Sequence, residues 1–201
     1  MKSTKVALAQ RGFVDDEFVK SFANKNIKEL ITLLQSNVPQ ERTAAAKILG
    51  AKKEKSAIKH LCLALEKEKS LYSKISISNA LSNIGEAAIP SLIKLLGKIG
   101  NNQHKAPPAK PFRKKSYPLP RDIAARTIIR IGETALPYLE ECLIVGSEAQ
   151  ISEAIDAIGH IAFYSKNSRA LNALLKCFEK NKDDSLLVWK ISQVFQFIKN
   201  K

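Results

Sequence analysis

Cysteine is scarce in this chain of 201 residues, and its three cysteines lie far apart. Cys62, Cys142 and Cys177 form no C-x-x-C pair, and no histidine stands near them at a metal-ligand spacing. An odd number of distant thiols argues against a disulfide framework. Each cysteine occupies an apolar position of the repeat described below, so we expect small core residues rather than reactive thiols.

Long apolar runs are also missing. The apolar stretch near the start covers only residues 6–9 and stops at Gln10, well short of a signal-peptide core. No other stretch approaches the roughly 18 uncharged apolar residues that a membrane span needs. We therefore expect a cytoplasmic protein with no membrane span.

Acidic residues are few relative to basic ones. The chain has 33 lysines and arginines against 19 aspartates and glutamates, which gives a formal net charge of +14. Such an excess predicts attraction to acidic proteins, nucleic acid or anionic lipid, and it does not choose among them.

An internal repeat organises the chain. Apolar residues at positions i, i+3, i+6 and i+7 recur five times, starting at Ile27, Ile58, Ile89, Leu136 and Leu171. This spacing lines one face of an α-helix, so each block predicts the amphipathic first helix of a pair. Successive starts are 31, 31, 47 and 35 residues apart, which indicates a degenerate repeat with one long member.

A second periodic segment follows each block and predicts the second helix of the pair. Three glycines are predicted to end helices in a left-handed cap, and two prolines fall in the first turn of the next helix. Residues 184–198 predict the last second helix, and residues 14–24 predict a helix that caps the first pair. No segment alternates with the period of a strand, so the sequence predicts an all-α protein. The glycines and prolines are Gly85, Gly132, Gly159, Pro90 and Pro137.

Two of the second helices carry a family resemblance. The segment VPQERTAAAKILG (38–50) resembles the second helix of HEAT repeats, in the variant named for phycobilisome lyase subunits, and PRDIAARTIIRIG (120–132) repeats it. The resemblance implies a right-handed α-solenoid of about five HEAT-like helix pairs in one domain, 1–201, with a cap at 1–26 and repeats at 27–198. HEAT arrays serve as scaffolds, nucleic-acid binders and occasionally enzymes, so the resemblance specifies the fold more than the function.

The sequence departs from the family pattern in the turns. HEAT-like repeats commonly place an aspartate in the turn within a pair, where it partners an arginine early in the second helix. The basic positions here are Arg42, Lys74 and Arg121, followed by Glu148, but the turns offer Asn37 and no regular aspartate. We therefore expect these basic groups to be free to meet a partner.

Three enzymatic alternatives follow from the resemblance. HEAT-type hydroxylases bind two irons through His-Glu pairs, but His60, His104 and His160 have no adjacent glutamate. HEAT-like DNA glycosylases use an aspartate flanked by aromatics, whereas the acids nearest Trp189 in sequence lie in a turn at 183–184. No feature marks the tetrapyrrole pocket of a bilin lyase. We expect no catalysis, no metal and no cofactor.

The long repeat contains a proline-rich insertion at about residues 101–120. Its five prolines and lack of acidic residues predict an extended or disordered loop. Its charges and aromatic rings suit contact with carboxylates or phosphates together with stacking, although a solvated loop of no function explains them equally well. The candidate binding residues in this loop are Lys110, Phe112, Arg113, Lys114, Lys115 and Tyr117.

A basic column along the second helices completes the candidate surface. In a HEAT solenoid the second helices line the concave side, so the resemblance implies a groove that is positive over three pairs and negative at the fourth, where Glu148, Glu153 and Asp156 stand. A solvated helix face is the alternative. The basic candidates are Arg42, Lys47, Lys74, Arg121, Arg126 and Arg130.

We hypothesise a non-catalytic adaptor that binds an acidic protein segment through this groove and the inserted loop. Non-specific nucleic-acid binding is the first alternative, since the same basic groups would serve it. A HEAT-like DNA glycosylase or a lyase-type enzyme is the second.

Overall fold

The computed structural model describes residues 4–100, 103–109 and 116–199. These residues form twelve α-helices and three short 3-10 helices, and none of them lies in a strand, which confirms the all-α prediction. No helix in the described part of the chain is long and apolar enough to cross a membrane. The polypeptide forms two compact units, Met1–Ser91 and Leu92–Lys201. The assignment of 1–201 to a single repeat domain stays a prediction.

The first unit contains the N-terminal segment and the first two helix pairs. The predicted cap at 14–24 is helical only as α2, and an additional short helix, α1, precedes it. Helix α7 contains the boundary between the units. The helices are α1 (Lys5–Gln10), α2 (Asp16–Lys20), α3 (Ile27–Leu33), α4 (Pro39–Ala51), α5 (Ile58–Lys67), α6 (Leu71–Ile84) and α7 (Ile89–Ile93).

The core of the first unit lies between the second helices of its pairs. Helix α4 packs on α6 and buries a run of small side chains at 43–46 together with Leu49. Helix α6 contributes the buried side chains of Ile77 and Leu81 to the same contact. The alanines let the two backbones approach closely, so the large side chains fill the space around the contact.

The N-terminal segment is held to these two helices by polar and aromatic contacts. The Thr43 hydroxyl donates to the carbonyl oxygen of Gly12 at 2.7 Å, and the amide of Tyr72 donates to the carbonyl oxygen of Arg11 at 2.9 Å. The rings of Phe13 and Tyr72 meet edge to face, with centroids 5.3 Å apart. The segment therefore covers the start of the first unit, as a cap should.

The second unit contains the remaining pairs. Helix α10 is its centre, because it packs against α8, α9 and α12, while α11 packs on α9 and α12. All five first helices of the chain begin at the predicted residues, and the last second helix occupies nearly the predicted range. The helices are α8 (Ile123–Ile131), α9 (Leu136–Val145), α10 (Glu148–Ser165), α11 (Leu171–Lys180) and α12 (Ser185–Lys199).

Two of the three predicted glycine stops are confirmed. Helices α6 and α8 end at Gly85 and Gly132, whose φ angles of +83° and +94° favour glycine. Their ψ angles of −143° and −151° place them in an extended conformation with positive φ, not in the left-handed helical one. Gly159 is different, since it lies inside α10 and stops nothing. The prediction of a helix end there is wrong.

Candidate binding site in the second unit

A cavity of about 320 Å³ opens in the second unit between the inserted segment, α10 and α12. Aromatic rings and prolines form much of its wall, and a small set of charged side chains forms the rest. Its lining residues are Gln103, His104, Pro108, Tyr117, Pro118, Leu119, Pro120, Arg121, Glu153, Asp156, Trp189, Lys190, Gln193 and Phe197.

A buried lysine anchors the polar part of the cavity. The side chain of Lys190 is only 1% exposed. Its Nζ donates to Oδ2 of Asp156 at 2.9 Å and to the carbonyl oxygen of Ser152 at 2.9 Å, and it lies 3.5 Å from Oε1 of Glu153. All three ammonium protons therefore have a partner, which is the condition for keeping a charge buried.

The two carboxyl groups beside Lys190 hold their protons more tightly than usual. Burial raises the pKa of Glu153 to about 7, and Lys190 only partly offsets that effect. Burial also raises the pKa of Asp156, again against the attraction of Lys190. One ammonium thus faces two carboxyl groups, and burial raises the pKa of both.

Asp122 ties the inserted segment to α8. It is fully buried, and its carboxylate accepts from the amides of Gly97 and Ala125 at 3.0 and 2.9 Å and from Nε2 of Gln103 at 3.2 Å. The bond to Gly97 joins residues on either side of the insertion, and the bond to Ala125 caps the start of α8. Sequence reasoning missed this residue, although an aspartate directly before a predicted helix is a recognisable N-cap signal.

Tyr117 closes the aromatic side of the cavity. Its ring centroid lies 5.1 Å from that of Phe197 and 6.1 Å from that of Phe163, and only 5% of the residue is exposed. A Cβ at Gly159 would lie 2.1 Å from the Tyr117 hydroxyl, so the glycine in α10 provides the space for this ring. Tyr117 lies in a non-helical segment, as predicted for the insertion, and its ring packs against other aromatic side chains.

Trp189 lines the cavity beside His104. It is half-buried, and its ring meets that of His104 edge to face at 5.4 Å. Burial lowers the pKa of His104, and the nearby charge of Arg121 lowers it further. The acids that share the cavity with Trp189 are Glu153 and Asp156, which are more than thirty residues away in sequence and were not associated with it by sequence reasoning.

The predicted negative patch of the fourth pair is largely an internal ion cluster. Glu153 and Asp156 face Lys190, and only Glu148 is exposed. The prediction that all three present negative charge to a groove is therefore wrong for two of them. The sequence did contain a sign of this cluster. Lys190 stands three residues after Leu187 on the apolar face of α12, where a lysine needs an acidic partner.

Arg42, in the first unit, is engaged within the protein. Its Nε lies 2.7 Å from Oε2 of Glu68, and its other nitrogens donate to Oε1 of Glu68 at 2.8 Å and to the carbonyl oxygen of Ser36 at 2.7 Å. Burial alone would raise the pKa of Glu68, but the bonds from Arg42 and from nearby amides hold it below its usual value. The expectation that Arg42 is free for a partner is wrong, because the turn after α5 supplies a glutamate.

The other predicted basic residues differ in how much charge they offer. Lys47 is exposed and Lys74 half-buried, and neither forms an ion pair with any described residue. Arg126 donates to the carbonyl oxygen of Pro120. Arg121 and Arg130 are exposed. The predicted loop residues Lys110, Phe112, Arg113, Lys114 and Lys115 lie outside the described residues.

The cysteines are buried, as predicted. All three are unpaired thiols inside the two units. Burial raises the pKa of Cys62 and that of Cys142 to about 11, so both remain protonated at neutral pH. Burial raises the pKa of Cys177 as well. These thiols behave as small core side chains.

Comparison with protein-family models and with curated proteins found no match to this chain.

Proposed function

We propose that this protein is a non-catalytic adaptor, built as a HEAT-like right-handed α-solenoid, that binds an acidic segment of a protein partner. The regular alternation of first and second helices supports the architecture. Within the second unit, α8, α10 and α12 pack in succession, as do α9 and α11. Two layers of neighbouring helices are the arrangement expected of stacked helical repeats.

The observation that carries the functional proposal is the distribution of charge. The first unit has 15 basic residues against 9 acidic ones, and the second has 18 against 10. Each unit is therefore basic by itself. Because Lys47 and Lys74 are not neutralised by described residues, α4 and α6 present charge that is available to an acidic ligand.

Arg42 has a positioning role in this proposal. Its guanidinium spans from the Ser36 carbonyl to Glu68, so it holds together the turns that precede α4 and α6. Fixing these turns orients the helices that carry Lys47 and Lys74. A rigid surface binds with a smaller entropic cost than a mobile one.

Charge reversal tests the proposal. A glutamate-rich peptide is titrated into the wild-type protein and into the double variant Lys47→Glu/Lys74→Glu, and binding is measured by calorimetry. We expect the affinity to fall by about 10-fold or more, because two attractive charges become repulsive. The control, Lys28→Glu/Lys98→Glu, makes the same change in net charge at two exposed lysines outside the proposed surface.

Equal losses in the two double variants would contradict the proposal. They would mean that the peptide responds only to net charge and that α4 and α6 form no site. Unchanged binding in Lys47→Glu/Lys74→Glu would contradict it too.

The cavity favours a second candidate, a DNA glycosylase, because Asp156 shares a cavity with Trp189 and Tyr117. HEAT-like enzymes of that class use an aspartate flanked by aromatics. Release of methylated bases from alkylated duplex DNA by the wild-type protein, and its loss in Asp156→Asn, would support this candidate. Such activity would overturn the non-catalytic proposal.

A further inference from the structure

We infer that the cavity of the second unit receives a tyrosine or tryptophan side chain from the acidic partner segment. The inference rests on the proposed function, because it concerns the same acidic partner, and it is argued from the second unit by itself. A large aromatic side chain held in a preformed pocket is the usual source of most binding energy at protein interfaces.

The walls of the cavity suit a flat apolar group. Its volume of about 320 Å³ lies at the lower end of the range of ligand pockets, roughly 300–1,000 Å³. Trp189, Tyr117 and Phe197 offer ring faces and edges, and Pro118 and Pro120 add rigid apolar surface. An aromatic ring enclosed by such walls gains both apolar burial and ring–ring contacts.

The polar groups of the cavity favour a ring that carries a hydrogen-bond donor. Asp156 uses Oδ2 for Lys190, and its side chain remains 21% exposed. The Lys190 protons are all engaged, so Asp156 is an acceptor that the cavity offers. A phenol O–H or an indole N–H satisfies such an acceptor, and phenylalanine does not.

The charge of the surrounding chain favours an acidic context for that side chain. Lys105 and Arg121 are both exposed, and Arg121 lines the cavity. Glutamates or aspartates on either side of the anchoring ring would meet positive charge there, whereas basic flanks would be repelled.

The only tryptophan of the chain lines this cavity, so its fluorescence reports on occupancy. Three peptides without tryptophan are titrated, each with a central residue between glutamates: tyrosine, phenylalanine or alanine. We expect the tyrosine peptide to change the Trp189 emission and to bind about 3- to 10-fold more tightly than the phenylalanine peptide, the range set by one hydrogen bond. The alanine peptide should bind more weakly still and leave the emission unchanged.

Two results would overturn the inference. Equal affinity for the tyrosine and alanine peptides would show that the partner bypasses the cavity, while the proposed acidic-segment adaptor would stand. A single-stranded oligonucleotide that changes the Trp189 emission, when none of the acidic peptides binds, would overturn the adaptor as well, because nucleobases also combine a ring with donors.

Discussion

At the scale of residues, the second unit shows how partners that are distant in sequence determine what a charged side chain does. Glu153 and Asp156 look like surface charges in the sequence, yet they form a largely buried cluster with Lys190. Breaking such a cluster by removing one partner is strongly destabilising, because the remaining charge is left without compensation. The cluster is therefore a constraint on how α12 packs against α10.

The raised pKa of Glu153 predicts how the free energy of unfolding depends on pH. In the unfolded chain a glutamate has a pKa of about 4.3, whereas in the folded protein burial raises the pKa of Glu153 to about 7. Between these values the folded state binds more protons than the unfolded state, so this group lowers the free energy of unfolding as pH rises through that window.

Urea unfolding of the wild-type protein and of Glu153→Gln tests this linkage. From about pH 5 to about pH 8, the stability of the variant relative to the wild type should rise by about 1–3 kcal/mol. Glu148→Gln, at an exposed position of the same helix, should show no such trend. A pH-independent difference for Glu153→Gln would mean that Lys190 keeps this carboxyl ionised.

At the scale of elements, each helix pair is specified locally, but the contact of α10 with the inserted segment is not. The start of α10 has a complete capping box, in which Ser147 and Gln150 satisfy each other's backbone amides. Its middle contains Gly159, an unfavourable helix residue by about 1 kcal/mol relative to alanine. The glycine is explained by Tyr117, whose ring occupies the space where a Cβ would stand.

Gly159→Ala should destabilise the protein despite the better helix propensity of alanine. Overpacking costs about 1–3 kcal/mol, and thermal or urea unfolding measures it. In the background of Tyr117→Leu the same substitution should cost less, because the ring that clashes is gone, so the double-mutant cycle reports their coupling. Additive effects would show that the glycine serves something other than this contact.

At the scale of the whole molecule, the net charge of +14 governs encounter more than anchoring. Long-range attraction between exposed charges is screened within about 8 Å at physiological ionic strength. Contacts inside a cavity are screened much less. The two contributions to binding therefore separate as the salt concentration is varied.

We expect the affinity for the alanine-centred peptide to disappear as sodium chloride rises from about 0.05 M to about 0.5 M. The tyrosine-centred peptide should retain measurable binding, because ring burial is insensitive to salt. Trp189 emission follows the second peptide and calorimetry follows both. Identical salt dependence for the two peptides would indicate binding by surface charge alone.

The purified protein provides a check on the nucleic-acid alternative. An absorbance ratio at 260 and 280 nm typical of protein is expected for the adaptor, whereas co-purifying nucleic acid would raise it. Steep loss of oligonucleotide binding with salt would then measure how many phosphates are contacted.

Local sequence signals specify the helices of this protein. Apolar periodicity, N-caps and prolines act within a few residues, so the five first helices begin where the pattern predicts them, at Ile27 and its four counterparts. The same local logic predicted burial of the three cysteines. Net charge is likewise a property of composition alone.

Contacts between elements that are distant in sequence set which charges are paired inside the protein and where a cavity opens. Arg42 meets Glu68 across 26 residues, and Lys190 meets Glu153 across 37. The sequence suggested Gly159 as a helix end, but in the structure its missing side chain leaves room for the ring of Tyr117. Periodicity gives the face of a helix on which a residue lies but not the side chain that faces it, because that pairing depends on how elements distant in sequence pack together.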